Sequence, residues 1–175
     1  MGRRNYSFDA NMVLADGGAA TSAAGFAQVG GAQGIVDLGG NQGITVTLPS
    51  IADVTTYTPQ QARFDGVVVI YVTAATISGS NVYKLILVGS NNASVNTGNA
   101  VLGMLELGKG SAMDAPNAAD TTAIPGATGN PQGEQFELLF TNEQFGVVYE
   151  FVSLYVAGTF GSITFSAFIA VLPRQ

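Results

Sequence analysis

Phe64-Asp65-Gly66-Val67-Val68-Val69-Ile70-Tyr71-Val72-Thr73 decides the fold. Six apolar residues stand in a row from Val67 to Val72, most of them branched at Cβ. Branching restricts a side chain in a helix and suits a pleated strand. No polar residue interrupts the run, so it predicts a strand dry on both faces. Working upstream, Ile35-Val36-Asp37-Leu38 is a short strand. Ile44-Thr45-Val46-Thr47-Leu48 alternates apolar with polar until Pro49 ends it. Downstream, Ser78-Gly79-Ser80-Asn81 reads as a turn and Val82–Val88 as the next strand. The two strands either side of that turn are therefore expected to pair as a hairpin.

The period of two continues to the end of the chain. Gly89 to Asn99 is a turn region rich in Asn and Ser, and Val101 to Leu107 is a strand. Residues 108–133 form a long stretch without pattern, with Pro116, Pro125 and Pro131. Loops of that length in a compact domain are usually binding loops. Gln135–Phe140 is a strand, and Gly146 to Ala157 reads as a longer one. The longer strand is apolar on both faces: Val147, Tyr149, Phe151 and Tyr155 on one, Val148, Val152, Leu154 and Val156 on the other. Such a strand lies at the centre of a sandwich or at an oligomer interface. After a turn at Gly158-Thr159, the last strand sends Ile163, Phe165, Ile169 and Val171 one way and Ser162, Thr164 and Ser166 the other.

No segment has a helical period; Gln60-Gln61-Ala62-Arg63 is one helical turn at most. The expected fold is all-β: a jelly-roll-like antiparallel β-sandwich of about eight strands. Two regions are expected. Residues 1–33 are an extended Gly/Ala-rich N-terminal arm, irregular unless something orders it, because glycine loses most entropy in regular structure. Residues 34–175 are the sandwich, carrying the loop 108–133.

Composition narrows the function. Only 10% of the 175 residues are charged, against about a quarter in ordinary soluble domains. A surface of Gly, Ala, Ser, Thr, Asn and Gln suits a protein packed against others. The net charge of −6 argues against binding a phosphate backbone. No apolar run reaches membrane-spanning length. The two arginines at the start precede no apolar block, so no secretory signal is expected. The Met-Gly start matches the myristoylation pattern only in part.

There is no His and no Cys. That removes the commonest general base, the commonest metal ligand and any thiolate site. The carboxylates are scattered. Glu134 and Glu137 are three apart, which puts them on opposite faces of a strand. Asp114 and Asp120 match no calcium loop. Gly103 to Lys109 matches seven positions of a phosphate-binding loop, but Gly110 stands where Ser or Thr is required, and Leu105 and Leu107 mark a strand. Lys84 marks a solvent face or an edge. Asn92-Ala93-Ser94 is read as turn chemistry. No enzyme, cofactor or metal is expected.

Several stretches resemble a known family. They are Asp9-Ala10, Ala20-Thr21-Ser22-Ala23, Ile35–Gly39, the strands Val67–Thr73 and Tyr83–Ser90 with their Asn/Ser-rich turn, Gly133–Phe136, Tyr149–Val156 and Gly161–Ala167. Together they are similar to the jelly-roll cement, or decoration, proteins of tailed-bacteriophage heads, from about Asp9 to Leu172. The resemblance implies a structural virion protein, made in the host cytoplasm and found on the outer surface of the capsid. It implies binding to the major capsid protein at junctions between subunits, and to further copies of itself. A dimer is expected in preference to a trimer, since twofold interfaces are commonest. The family has no catalytic residues. Expected contact residues are Arg3, Arg4, Tyr6 and Phe8 in the arm, Met113 and Asp114 in the long loop, and Tyr149 and Tyr155 on the two-sided strand; Arg3 and Arg4 would clamp an acidic neighbour. The competing expectation is a carbohydrate- or receptor-binding module of a phage fibre or head appendage, with Tyr57, Tyr71, Tyr83 and Phe145 as its aromatic candidates.

Overall fold

The structure, a computed structural model, describes residues 8–39, 63–76, 82–108, 123–128, 131–159 and 161–171. In chain order the strands are β1 (Val13–Asp16), β2 (Gly25–Phe26), β3 (Gln28–Val29), β4 (Ala32–Gln33), β5 (Ile35–Asp37), β6 (Asp65–Ala75), β7 (Val82–Ser90), β8 (Ala100–Gly108), β9 (Ala123–Thr128), β10 (Gln135–Thr141), β11 (Glu143–Gln144), β12 (Val147–Val148), β13 (Phe151–Thr159) and β14 (Ile163–Val171). A 3-10 turn at Ala10–Met12 is the one helical element among the described residues.

Two sheets pack face to face. One runs β1-β14-β6-β10 and the other β5-β13-β7-β8, with β2 continuing the β5 edge and β9 added beyond β8. Every pairing within these two sets of four is antiparallel. Only β9 lies parallel to its neighbour. Along these eight strands the chain changes sheet at each connection except β7 to β8. This is the double Greek key of a jelly roll. The expected all-β sandwich of about eight strands is present.

The opening stretch behaves as its composition requires. β6 is central, between β14 and β10. It sends Val68, Ile70 and Val72 into the main core and Val67 and Val69 to the opposite face. All five are buried. Opposite them β13 contributes Val152, Leu154 and Val156, and β7 contributes Tyr83, Leu85 and Leu87. The Tyr83 ring is wholly buried while its hydroxyl donates at the rim to Thr76 O (2.6 Å) and Ser162 O (3.1 Å). Burial pushes this phenol above its ordinary range.

Four expectations change. The strands around the turn at 78–81 do not pair with each other: β6 and β7 belong to different sheets. A two-sided strand needs a neighbour at each edge, and the chain crosses the sandwich to supply them. The arm is extended, but its described part is stitched into the body. β1 pairs β14, β2 pairs β13, and Leu14 and Ala27 enter the core. The strand expected from 146 to 157 is two pieces, β12 and β13, separated at Tyr149-Glu150. Within the loop 108–133, residues 123–128 form β9. The strand expected at 44–48, the turn at 78–81 and the bulk of the long loop lie outside the described residues.

Candidate protein-docking surface

Apolar side chains continue past the core onto both outer faces. On the four-stranded sheet, Val67, Val69 and Ala170 form a second cluster with Phe168 packed against it. Phe8, exposed, sets its ring edge-on to Phe168 with centroids 5.2 Å apart. On the six-stranded sheet, Phe26, Tyr155, Ile86 and Met104 stand in register across four strands. Phe26 and Tyr155 meet edge-to-face at 5.0 Å. The next row holds Lys84 and Glu106, whose Nζ and Oε1 are 3.0 Å apart. Lys84 is therefore on the outer face of a central strand, paired, and not at an edge. Gly103 to Gly108 is strand, with Leu105 and Leu107 buried.

The sandwich is polar along its long axis. Among the described residues seven large apolar side chains are exposed: Phe8, Tyr71, Val101, Leu139, Phe145, Val147 and Val171. Five of these, all but Phe8 and Tyr71, lie at or close to one end, where β10, β14 and β7 finish and β6, β8 and β13 begin. Asn142 builds this end. Wholly buried, it accepts the Phe64 N–H and donates its amide to Tyr149 O at 2.9 Å. Its backbone also exchanges bonds with Phe64 and Tyr149. Asn91 holds the other side, donating to Val148 O and accepting from Glu150 N–H.

Between these clips β11 and β12 form a hairpin closed by Phe145-Gly146, with φ of 51° and 77°. Two positive φ angles in a two-residue loop define a type I′ turn, which favours Asn-Gly. Phe145 is 97% exposed at its tip. Charge here is uneven. Asp37, Asp65, Glu143 and Glu150 face one described cation, Arg63, which already bridges Asp65 (3.3 Å) and Glu143 (3.5 Å).

The opposite end carries a concavity of about 270 Å³, lined by small residues of the 15–28 stretch and by Phe165. Its single acid, Asp16, accepts from Gly18 N (2.8 Å) and Gly30 N (2.7 Å). These bonds, Gly30's first, hold the Asp16 carboxyl below its ordinary value.

Of the expected contact residues, the three described, Phe8, Tyr149 and Tyr155, lie apart. Phe8 lies on the outer face of one sheet and Tyr155, half-buried, on the outer face of the other. Tyr149 packs partly buried against the core. Arg3, Arg4, Tyr6, Met113 and Asp114 lie outside the described residues. The aromatics considered for a sugar platform are also apart. Tyr83 is buried, and Tyr71 pairs with Gln135 at the start of β10, some ~20 Å along the strand from the hairpin that follows it; Tyr57 lies outside the described residues. The exposed apolar end is not legible in the sequence because its members come from four separate segments. The available signal was Phe-Gly standing where a hairpin favours Asn-Gly. The sequon asparagine does serve its turn, as Asn92 Oδ1 accepts from Ser94 N–H at 2.9 Å and Ser94 Oγ at 2.6 Å. Among the described residues no three acidic side chains gather as a metal site, and no helix is long and apolar enough to cross a membrane.

No family model, curated protein or solved structure matches this chain.

Proposed function

We propose that this protein is a structural virion component: a cement protein that binds the outer surface of a bacteriophage head, at junctions between major capsid subunits, and stabilises it. One observation carries the reading. Large apolar side chains stand exposed at one end of the sandwich, on a chain in which charge is sparse. Patches of this kind mark protein-binding surfaces. A rigid jelly roll gripping several neighbours through many weak contacts gains strength by multivalency, and further copies of the same chain would add to it. The reading needs no catalytic group and no cofactor.

The test is reconstitution. Purified protein is added to phage heads assembled without it. The expected result is saturable uptake at a fixed copy number per head and a higher temperature of head disruption. Heads that take up nothing, or that bind protein without gaining stability, overturn the proposal.

A further inference from the structure

Two described residues other than glycine hold a positive φ: Val95 at 49° and Phe145 at 51°. This left-handed backbone crowds Cβ against the neighbouring carbonyl. Val95 has a return for its strain, since its side chain is wholly buried. Phe145 has none within the described chain. Its ring is almost fully in water, and its turn would close with less strain around Asn or Gly. Neither the strain nor the exposed ring has a return among the described residues, and strain that persists without a local return points to function.

The surroundings indicate what Phe145 meets. The hairpin is anchored at its base by the Asn142 and Asn91 bonds, so the ring projects from a fixed support. The same end of the sandwich carries the exposed Leu139, Val147, Val101 and Val171. Among the described residues this end holds four carboxylates, Asp37, Asp65, Glu143 and Glu150, and one cation, Arg63. An exposed aromatic on a fixed support, at an end that carries other exposed apolar side chains, has the form of a binding anchor. An excess of acids over cations among the described residues of this end favours basic neighbours.

We propose that this end of the sandwich is the face that docks on the head, and that Phe145 is its anchor, entering an apolar pocket rimmed by Lys or Arg side chains. The identity of the partner rests on the cement-protein reading. The position and chemistry of the contact rest on the hairpin itself.

The test exploits opposite signs. Phe145→Asn and Phe145→Gly should raise the melting temperature of the free protein by ~2–4 °C, the size expected for a relieved turn in a chain of this length. The same variants should bind heads assembled without the protein at least tenfold more weakly. Glu143→Gln with Glu150→Gln should slow association and flatten its salt dependence. If heads fail to take up the unsubstituted protein, the cement reading falls and the partner assigned here falls with it. If heads bind the unsubstituted and Phe145→Asn proteins equally, the anchor alone is overturned. A lower melting temperature for both variants would show that the ring supports the fold, which also overturns it.

Discussion

Asn142 Oδ1 accepts the Phe64 N–H at 2.7 Å while the Asn142 N–H donates to Phe64 O at 3.0 Å, so one buried residue closes both backbone groups of another 78 positions away. The same side chain donates to Tyr149 O, which fixes where β10 ends, where β6 begins and how the hairpin returns to β13. Asn142→Ala strands a donor and an acceptor away from water. Each such group costs about 1–3 kcal/mol, so a loss of roughly 3 kcal/mol is expected in urea unfolding. Asn142→Asp keeps the acceptor for Phe64 and loses the donor for Tyr149. It should be worse at neutral pH than at low pH, where a protonated carboxyl regains a donor. A change below about 0.5 kcal/mol for Asn142→Ala would show that the clip does not hold this end together.

Much of the fold is legible in residues 67–72, because an unbroken β-branched run has one stable setting, the middle of a sheet covered on both sides. The eight-strand count follows from the same period of two. Partner choice is not legible there. A strand with two dry faces carries no pattern that says which edge meets which neighbour, so β6 and β7 look like a hairpin when they lie in opposite sheets. The Gly/Ala-rich stretch misleads in another way. Glycine signals freedom in a sequence, yet Gly30 and Gly31 close a hairpin with φ of 59° and 82°, and Asp16 ties that turn to β1. The docking end is a tertiary assembly of residues from separate segments. Only Phe145 announces itself, by occupying a position that its turn would give to asparagine.

Asp16 gives the molecule a defined acid response. Its carboxyl is held below the ordinary value of 3.8 chiefly by the Gly30 N–H, then by the Gly18 N–H. A depressed carboxyl stabilises the folded state above its unfolded pKa, and the contribution is lost as pH falls through the folded pKa. Wild type should therefore be more stable than Asp16→Asn by a constant margin above about pH 5. The margin should shrink as pH drops below 3.8. Thermal melts of the two proteins across this range check it; a margin that grows on acidification would refute the assignment.

The Lys84–Glu106 pair separates charge from packing. Glu106 is 4% exposed, and it shares a transverse row with Lys84 beside Ile86 and Met104. Removing the lysine alone leaves a carboxylate buried without its cation. Lys84→Met should cost about 2 kcal/mol, below the 3–5 kcal/mol of a fully enclosed pair because the lysine is partly wet. The double variant Lys84→Met/Glu106→Leu should recover most of that loss, since an apolar pair avoids the desolvation penalty. A double-mutant cycle in urea reads the coupling directly. Equal destabilisation of the single and double variants would mean that the row needs the ion pair itself.

Gly34 brings its backbone up close against that of β1. It stands between β4 and β5 at the edge of the six-stranded sheet, and a Cβ built on it would run into the carbonyl of Leu14 on β1, in the other sheet. Its own groups are already committed: the N–H donates to Ala27 O at 2.9 Å, and the carbonyl accepts from Ser153 Oγ at 2.7 Å. The glycine cannot step aside without losing both bonds, and Leu14 cannot without leaving the core. Gly34→Ala should therefore cost about 3 kcal/mol or more, the range of steric conflicts that backbone must absorb. Gly31→Ala supplies the contrast. That residue has a positive φ but open space around it, so it should lose only the ~1 kcal/mol of left-handed strain. Unfolding curves for the two variants rank them. If Gly31→Ala proved the more damaging, close approach of the sheets would not be what requires glycine at position 34.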